Sequence, residues 1–231
     1  MNNIVGIIGS GSDGGTFLDW SLYYLSNQKY IYSTTIGNLQ REEDAIYNFK
    51  KMSLVENPLM TSKNKITYVA HRHFKTHPTQ FSIDSCIEKY KQLNDDDLSM
   101  LSFYCVQINA NNWMPLEKFA LKYTNLYPEI KFIVIHVDNE TYMDLYNRAI
   151  SINFGINDKN ELLNYVKKSI TEIKNTNNRY MLNVRDIYNN LDQLIPEIFE
   201  WANRKISTER YDNWKSIYNH WKDTLPKNTS K

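Results

Sequence analysis

Cysteine is almost missing from this 231-residue chain, which has only Cys86 and Cys105, on separate predicted elements. Two thiols build neither a disulfide framework nor a cysteine-based zinc set, so they read as reduced thiols of a cytoplasmic protein. No apolar stretch approaches membrane-spanning length. The start, Met1-Asn2-Asn3, lacks the basic residues of a secretory leader, and the apolar run after it is too short for a leader core. Charge excess is missing as well, since 27 Lys+Arg against 26 Asp+Glu leave a formal +1. That balance calls for neither nucleic acid nor an anionic membrane as a partner. An apolar share of 42% over 231 residues is enough for one sizeable core. The expected organisation is a single domain over 1–225 and a disordered tail over 226–231.

Glycine is also scarce, seven in all, and five of them (Gly6, Gly9, Gly11, Gly14 and Gly15) fall in one short stretch. The apolar run Ile4-Val5-Gly6-Ile7-Ile8 predicts a short buried strand. The turn Gly9-Ser10-Gly11-Ser12-Asp13-Gly14-Gly15-Thr16 follows. Phe17, Leu18, Leu22 and Leu25 then recur at helical spacing, so a helix opens near Gly15. In a strand, glycine turn and helix, successive backbone N–H groups can surround a phosphate, and the helix N-terminus adds partial positive charge. The pattern G-x-x-x-x-G-K-[ST] is met only in part. Gly15 stands where the lysine belongs, Asp13 brings a negative charge into the turn, and Thr16 keeps the hydroxyl. The competing reading is a tight strand-to-helix turn that binds nothing.

Beyond the first helix, 29–36 (KYIYSTTI) reads as a short strand or extended loop. The charged, amphipathic stretch 39–52 predicts a helix, stopped by Asn57-Pro58. Residues 65–70 (KITYVA) form a further predicted strand, 82–93 a helix, and 98–108 (LSMLSFYCVQI) a central strand. A helix runs from Pro115 to about Tyr127 and is stopped by Pro128. Residues 131–137 (KFIVIHV) predict a buried strand, 139–152 and 158–174 helices, and 179–184 (RYMLNV) the last strand. Helices over 187–205 and 208–225 close the chain. The second carries Tyr211, Trp214, Ile217, Tyr218 and Trp221 at helical spacing, a stripe expected to pack. Strands alternating with helices predict an α/β fold, a three-layer, largely parallel sheet with helices on both faces and helices at the C-terminus. Ligands of such sheets sit beyond the carboxyl ends of the strands.

The segment His71-Arg72-His73-Phe74-Lys75-Thr76-His77-Pro78 follows one of those strands. Zinc needs three or four convergent ligands, and no acidic or cysteine ligand lies close to these histidines in sequence, so no metal is expected. Together with the glycine turn, Lys75-Thr76-His77-Pro78 resembles the sulfotransferase family, which uses 3′-phosphoadenosine 5′-phosphosulfate (PAPS). That family places P-K-S-G-T-T-W between a strand and a helix, where this chain has Ser12-Asp13-Gly14-Gly15-Thr16-Phe17. Its K-T-H-L-P, at the end of a later strand, is matched by Lys75-Thr76-His77-Pro78 without the leucine. Tyr180 to Asp186 resembles its Y-E-D-L strand-to-helix segment.

The resemblance implies a P-loop-type domain that transfers a sulfuryl group from PAPS to a hydroxyl or amine of a small-molecule or glycan acceptor. His77 would be the base and Lys75 would sit by the sulfuryl oxygens, roles that suit a neutral imidazole and a cation. Gly11, Ser12, Gly14, Gly15, Thr16 and Phe17 would form the cofactor site, with no metal. Three departures stand out. Ser12 replaces the loop lysine, and Asp13 replaces a neutral residue. The strand-end arginine that grips the 3′-phosphate is absent from His136-Val137-Asp138. Arg148 on the next helix is the stand-in, and Lys75, Arg72, Arg41 or Arg185 could restore positive charge. Two other readings stand beside this one. The chain could be a non-catalytic nucleotide- or partner-binding protein on the same fold. It could also be a small-molecule kinase, for which Asp138 would be the magnesium-binding acid.

Overall fold

The computed structural model describes residues 4–9, 14–28, 30–35, 48–54, 56–57, 99–104, 116–136 and 174–224. Four strands form one sheet: β1 (Ile4–Gly9), β4 (Ser99–Tyr104), β5 (Lys131–His136) and β6 (Arg179–Asn183). All their pairings are parallel, in the order β4-β1-β5-β6. The helices are α1 (Gly15–Leu25), α2 (Leu116–Leu126), α3 (Val184–Asn189), α4 (Leu191–Trp201) and α5 (Thr208–Thr224). The architecture is therefore α/β, as the alternation of strand and helix patterns predicts.

Both faces of the sheet are covered, which explains why β1 and β5 read as continuous apolar runs. Val5, Ile7, Ile133, Ile135 and Leu182 join one core cluster with α1, α3, α4 and α5. The alternate residues Ile8, Phe132 and Val134 are equally buried. They face the other way, where α2 packs against β1 and β5 and buries Ala120 and Tyr123.

The chain leaves β1 toward β4 and returns past β1 to β5, so the strand order reverses at β1. The carboxyl end of a strand at such a reversal is the usual ligand position in open parallel sheets. The glycine turn begins there.

Two local expectations are corrected. The stretch 39–52 was expected to be helical, yet Asn48–Ser53 is strand β3, paired antiparallel with β2 (Tyr30–Thr35) in a separate two-stranded sheet. The partner strand, YIYSTT, is aromatic and β-branched, and cross-strand pairing outweighs a helical charge pattern. β4 pairs with β1 at one side of the four described strands, and the strand expected over 65–70 lies outside the described residues. The single helix expected over 187–205 is two helices, with the break at Asn190, whose backbone (φ −128, ψ 12) leaves the helical region.

That break is built by Tyr218 on α5. Its buried hydroxyl accepts from the Leu191 N–H at 2.9 Å and donates to the Ile187 carbonyl at 3.0 Å. In an unbroken helix those two backbone groups would bond each other. The hydroxyl is inserted between them, a recognised cause of helix interruption.

The aromatic stripe of α5 is core. Trp214 and Tyr218 are fully buried, and Ile217 and Trp221 nearly so. α5 runs antiparallel to α1. At one end Ser207 N–H donates to Leu25 O, and Arg210 donates to Tyr24 O in the last turn of α1 and to Gln28 O just beyond it, at 3.0 and 2.8 Å, placing a cation at the carboxyl end of α1. Midway, Trp214 Nε1 donates to Ser21 Oγ, which donates to Phe17 O. At the far end Trp221 stacks on Phe17, with ring centroids 4.2 Å apart. The last turn of α5 thereby reaches the first turn of α1.

Candidate functional site at the carboxyl edge of the sheet

Gly14 begins α1 in the left-handed region, φ 79 and ψ 0, which costs other residues about 1–2 kcal/mol. Its carbonyl starts the helix by accepting from Leu18 N–H at 3.0 Å. A Cβ at Gly14 would lie 2.8 Å from Ile187 Cγ2 and 3.6 Å from the Trp221 ring. Two separate constraints therefore require glycine here, backbone sign and space. With no side chain, Gly14 gives no cap hydrogen bond to the first turn of α1. Helix geometry leaves the first amides of a helix without intrahelical partners, and the macrodipole makes that end favourable for an anion.

Of the sequence-predicted cofactor residues, Gly14, Gly15, Thr16 and Phe17 come together as the start of α1. The Phe17 ring is 1% exposed and packs on Trp20, Tyr218 and Trp221. Its side chain therefore belongs to the core, and its backbone N–H belongs to the turn. Gly11, Ser12, Lys75, His77 and Arg148 lie outside the described residues, as do Asp13, His71, His73 and Asp138.

Two polar residues stand at this edge beside the expected ones. His136 ends β5 and Asn183 ends β6, and the two are register partners. Each directly follows the nonpolar or aromatic run of its strand (FIVI before His136, YML before Asn183), which is the signal that could have found them. Asn183 caps α3, with Oδ1 accepting from Arg185 N–H at 2.8 Å. The residue is 6% exposed, and its Nδ2 is buried without a hydrogen-bond partner among the described residues. Arg185 follows on α3, with its side chain 45% exposed and 3.8 Å from Asp186, so a cation stands near this edge. An exposed pair of this kind holds its cation weakly.

Among the described residues, no three His, Cys, Asp or Glu side chains converge as a metal set. No described helix is long and apolar enough to cross a membrane.

No protein-family model matches the chain, and no curated protein does. Among solved structures, the chain is similar to a crystal structure of retinol dehydratase in complex with androsterone and inactive cofactor PAP. The identity is 11% and the TM-score 0.45, over 95% of this chain and 65% of that one.

Proposed function

We propose that this chain is a sulfotransferase-like protein that holds the phosphate end of PAPS at the first turn of α1. The observation that carries the reading is strand β1 ending in Gly9 and the N-terminus of α1 at Gly14, set where the strand order of a parallel sheet reverses. The resemblance of Ser12 to Phe17 and of Lys75 to Pro78 to the family's two motifs supports the finer assignment.

Backbone N–H groups of Gly14, Gly15, Thr16 and Phe17, with the Thr16 hydroxyl and the turn residues Gly11 and Ser12, would bind the phosphate. PAPS supplies an activated sulfuryl group for a hydroxyl or amine acceptor. His77 takes the acceptor's proton, and Lys75 holds the developing negative charge. Arg148 takes the 3′-phosphate in place of the absent strand-end arginine. Sulfuryl transfer measured with a panel of hydroxyl and amine acceptors tests this. His77→Ala is expected to lower turnover at least a hundredfold while donor binding persists, a size typical of losing a general base. Unchanged turnover rejects His77 as the base.

A second reading is favoured by a specific observation. Ser12 occupies the loop lysine's place, and no arginine follows β5. On that reading the chain binds a nucleotide or a partner without transferring a group. Measured sulfuryl transfer would exclude it.

A further inference from the structure

We infer that Trp221 is a positioning residue for the phosphate site: from the last turn of α5, its ring holds both ends of the first turn of α1, Gly14 and Phe17. The inference rests on the reading above, that this turn holds the ligand's phosphate. Trp221 acts through the turn and not by touching the ligand.

Residues 14 and 17 are three apart, so they stand one turn apart on the same side of the helix. Trp221 meets both. Its ring lies flat on Phe17, with centroids 4.2 Å apart and planes within 5° of parallel. Its far edge, Cη2, would be 3.6 Å from a Cβ built on Gly14. The same ring stacks on Tyr188 of α3 at 5.2 Å, and Ile187 beside it supplies the second wall against Gly14. Trp221 is 5% exposed and shares one core cluster with Phe17, Ile187 and Tyr188. The start of α1 is therefore gripped from α3 and α5 together.

The grip fixes the direction of the amides that lie between its two points of contact. A capping side chain would ordinarily hold the first turn of a helix, and Gly14 provides none. Packing from outside the turn supplies that constraint instead. Donors held in one geometry before an anion arrives bind it more tightly, because the ordering cost does not fall on the binding step. Apolar bulk alone would fill the core at position 221. A flat ring long enough to cover Phe17 and still reach Gly14 is what tryptophan adds.

Calorimetric titration of the full chain and of its Trp221→Leu, Trp221→Phe and Trp214→Phe variants tests this, with inorganic pyrophosphate and, separately, 3′-phosphoadenosine 5′-phosphate as probes. Thermal unfolding checks that each variant keeps the fold. Trp214 is the control, a buried ring of α5 that donates to Ser21 midway along α1 and not to the first turn. Trp221→Leu is expected to bind both probes about fivefold more weakly at unchanged stoichiometry, the size of one aromatic pair. Trp221→Phe, which keeps a ring over Phe17 without the edge beside Gly14, is expected to lose about twofold, and Trp214→Phe to bind as the wild type does. If Trp221→Leu does not fold, Trp221→Phe carries the test on the same terms. Wild-type affinity in the Trp221 variants overturns the inference while leaving the phosphate site standing. So does an equal loss in Trp214→Phe, or a fall in stoichiometry at constant affinity, since either assigns the effect to general loosening of the core. A loss confined to the nucleotide, with pyrophosphate unaffected, overturns the assignment to the phosphate turn. A wild-type chain that binds neither probe overturns both the inference and the reading beneath it.

Discussion

Gly14 and Ile187 are packed so closely that a single added carbon on Gly14 would sit 2.8 Å from Ile187 Cγ2. The turn that starts α1 and the helix that follows β6 are thus fitted to each other, and Trp221 closes the same contact from α5. Gly14→Ala is expected to cost about 1–2 kcal/mol for the left-handed backbone alone, with the steric conflict added. Part of that conflict disappears if Ile187 is shortened. In a double-mutant cycle read by urea unfolding, Gly14→Ala should therefore cost less in an Ile187→Ala background, by about 0.5 kcal/mol or more. Strict additivity would show that the two residues do not press on each other.

The hydroxyl of Tyr218 replaces a backbone hydrogen bond between Leu191 and Ile187. Tyr218→Phe leaves a buried N–H and a buried carbonyl without that bridge, at an expected cost of about 1–3 kcal/mol. The readout is the urea midpoint at unchanged slope. A variant as stable as the wild type would mean that α3 and α4 fuse into one helix, with Leu191 N–H reaching Ile187 O directly. A crystal structure of the variant would then show the break at Asn190 gone.

Tyr180 provides a pH prediction. Burial, followed by the charge of Glu197, its hydrogen bond at 3.4 Å and the charge of Asp186, pushes the phenol up to about 12. The ordinary value is about 10. With a raised folded value, the phenol's contribution to stability is complete below about pH 10 and is lost as pH climbs through about 12. Unfolding free energy measured from pH 9 to 12 should fall more steeply in the wild type than in Tyr180→Phe. Parallel curves would show that Tyr180 ionises as freely in the fold as in the unfolded chain.

Much of the fold was legible because apolar runs and helical periodicity report burial directly. Val5 to Ile8 and Phe132 to Ile135 are apolar throughout because both sheet faces are covered. Gly14 was legible as a turn residue, but its second constraint depends on Ile187 and Trp221, far along the chain, and no local pattern announces them. The break at Asn190 was hidden for the same reason, since it is made by a hydroxyl 27 residues away from Leu191. β3 was hidden because Asn48–Ser53 is continuous with a charged, amphipathic stretch that suits a helix, and only its partner β2 decides the matter. Asn183 escaped notice because an asparagine before a helix reads as an ordinary cap, and its unpaired half shows only in three dimensions.

The central claim is that the first turn of α1 is a phosphate site for a nucleotide of the PAPS type. Calorimetric titration with 3′-phosphoadenosine 5′-phosphate, run beside ATP, tests it most directly. The expected result is selective binding of the 3′-phosphorylated nucleotide at micromolar affinity, about −8 kcal/mol. Binding of neither nucleotide, by a chain that unfolds cooperatively and is therefore folded, would contradict it.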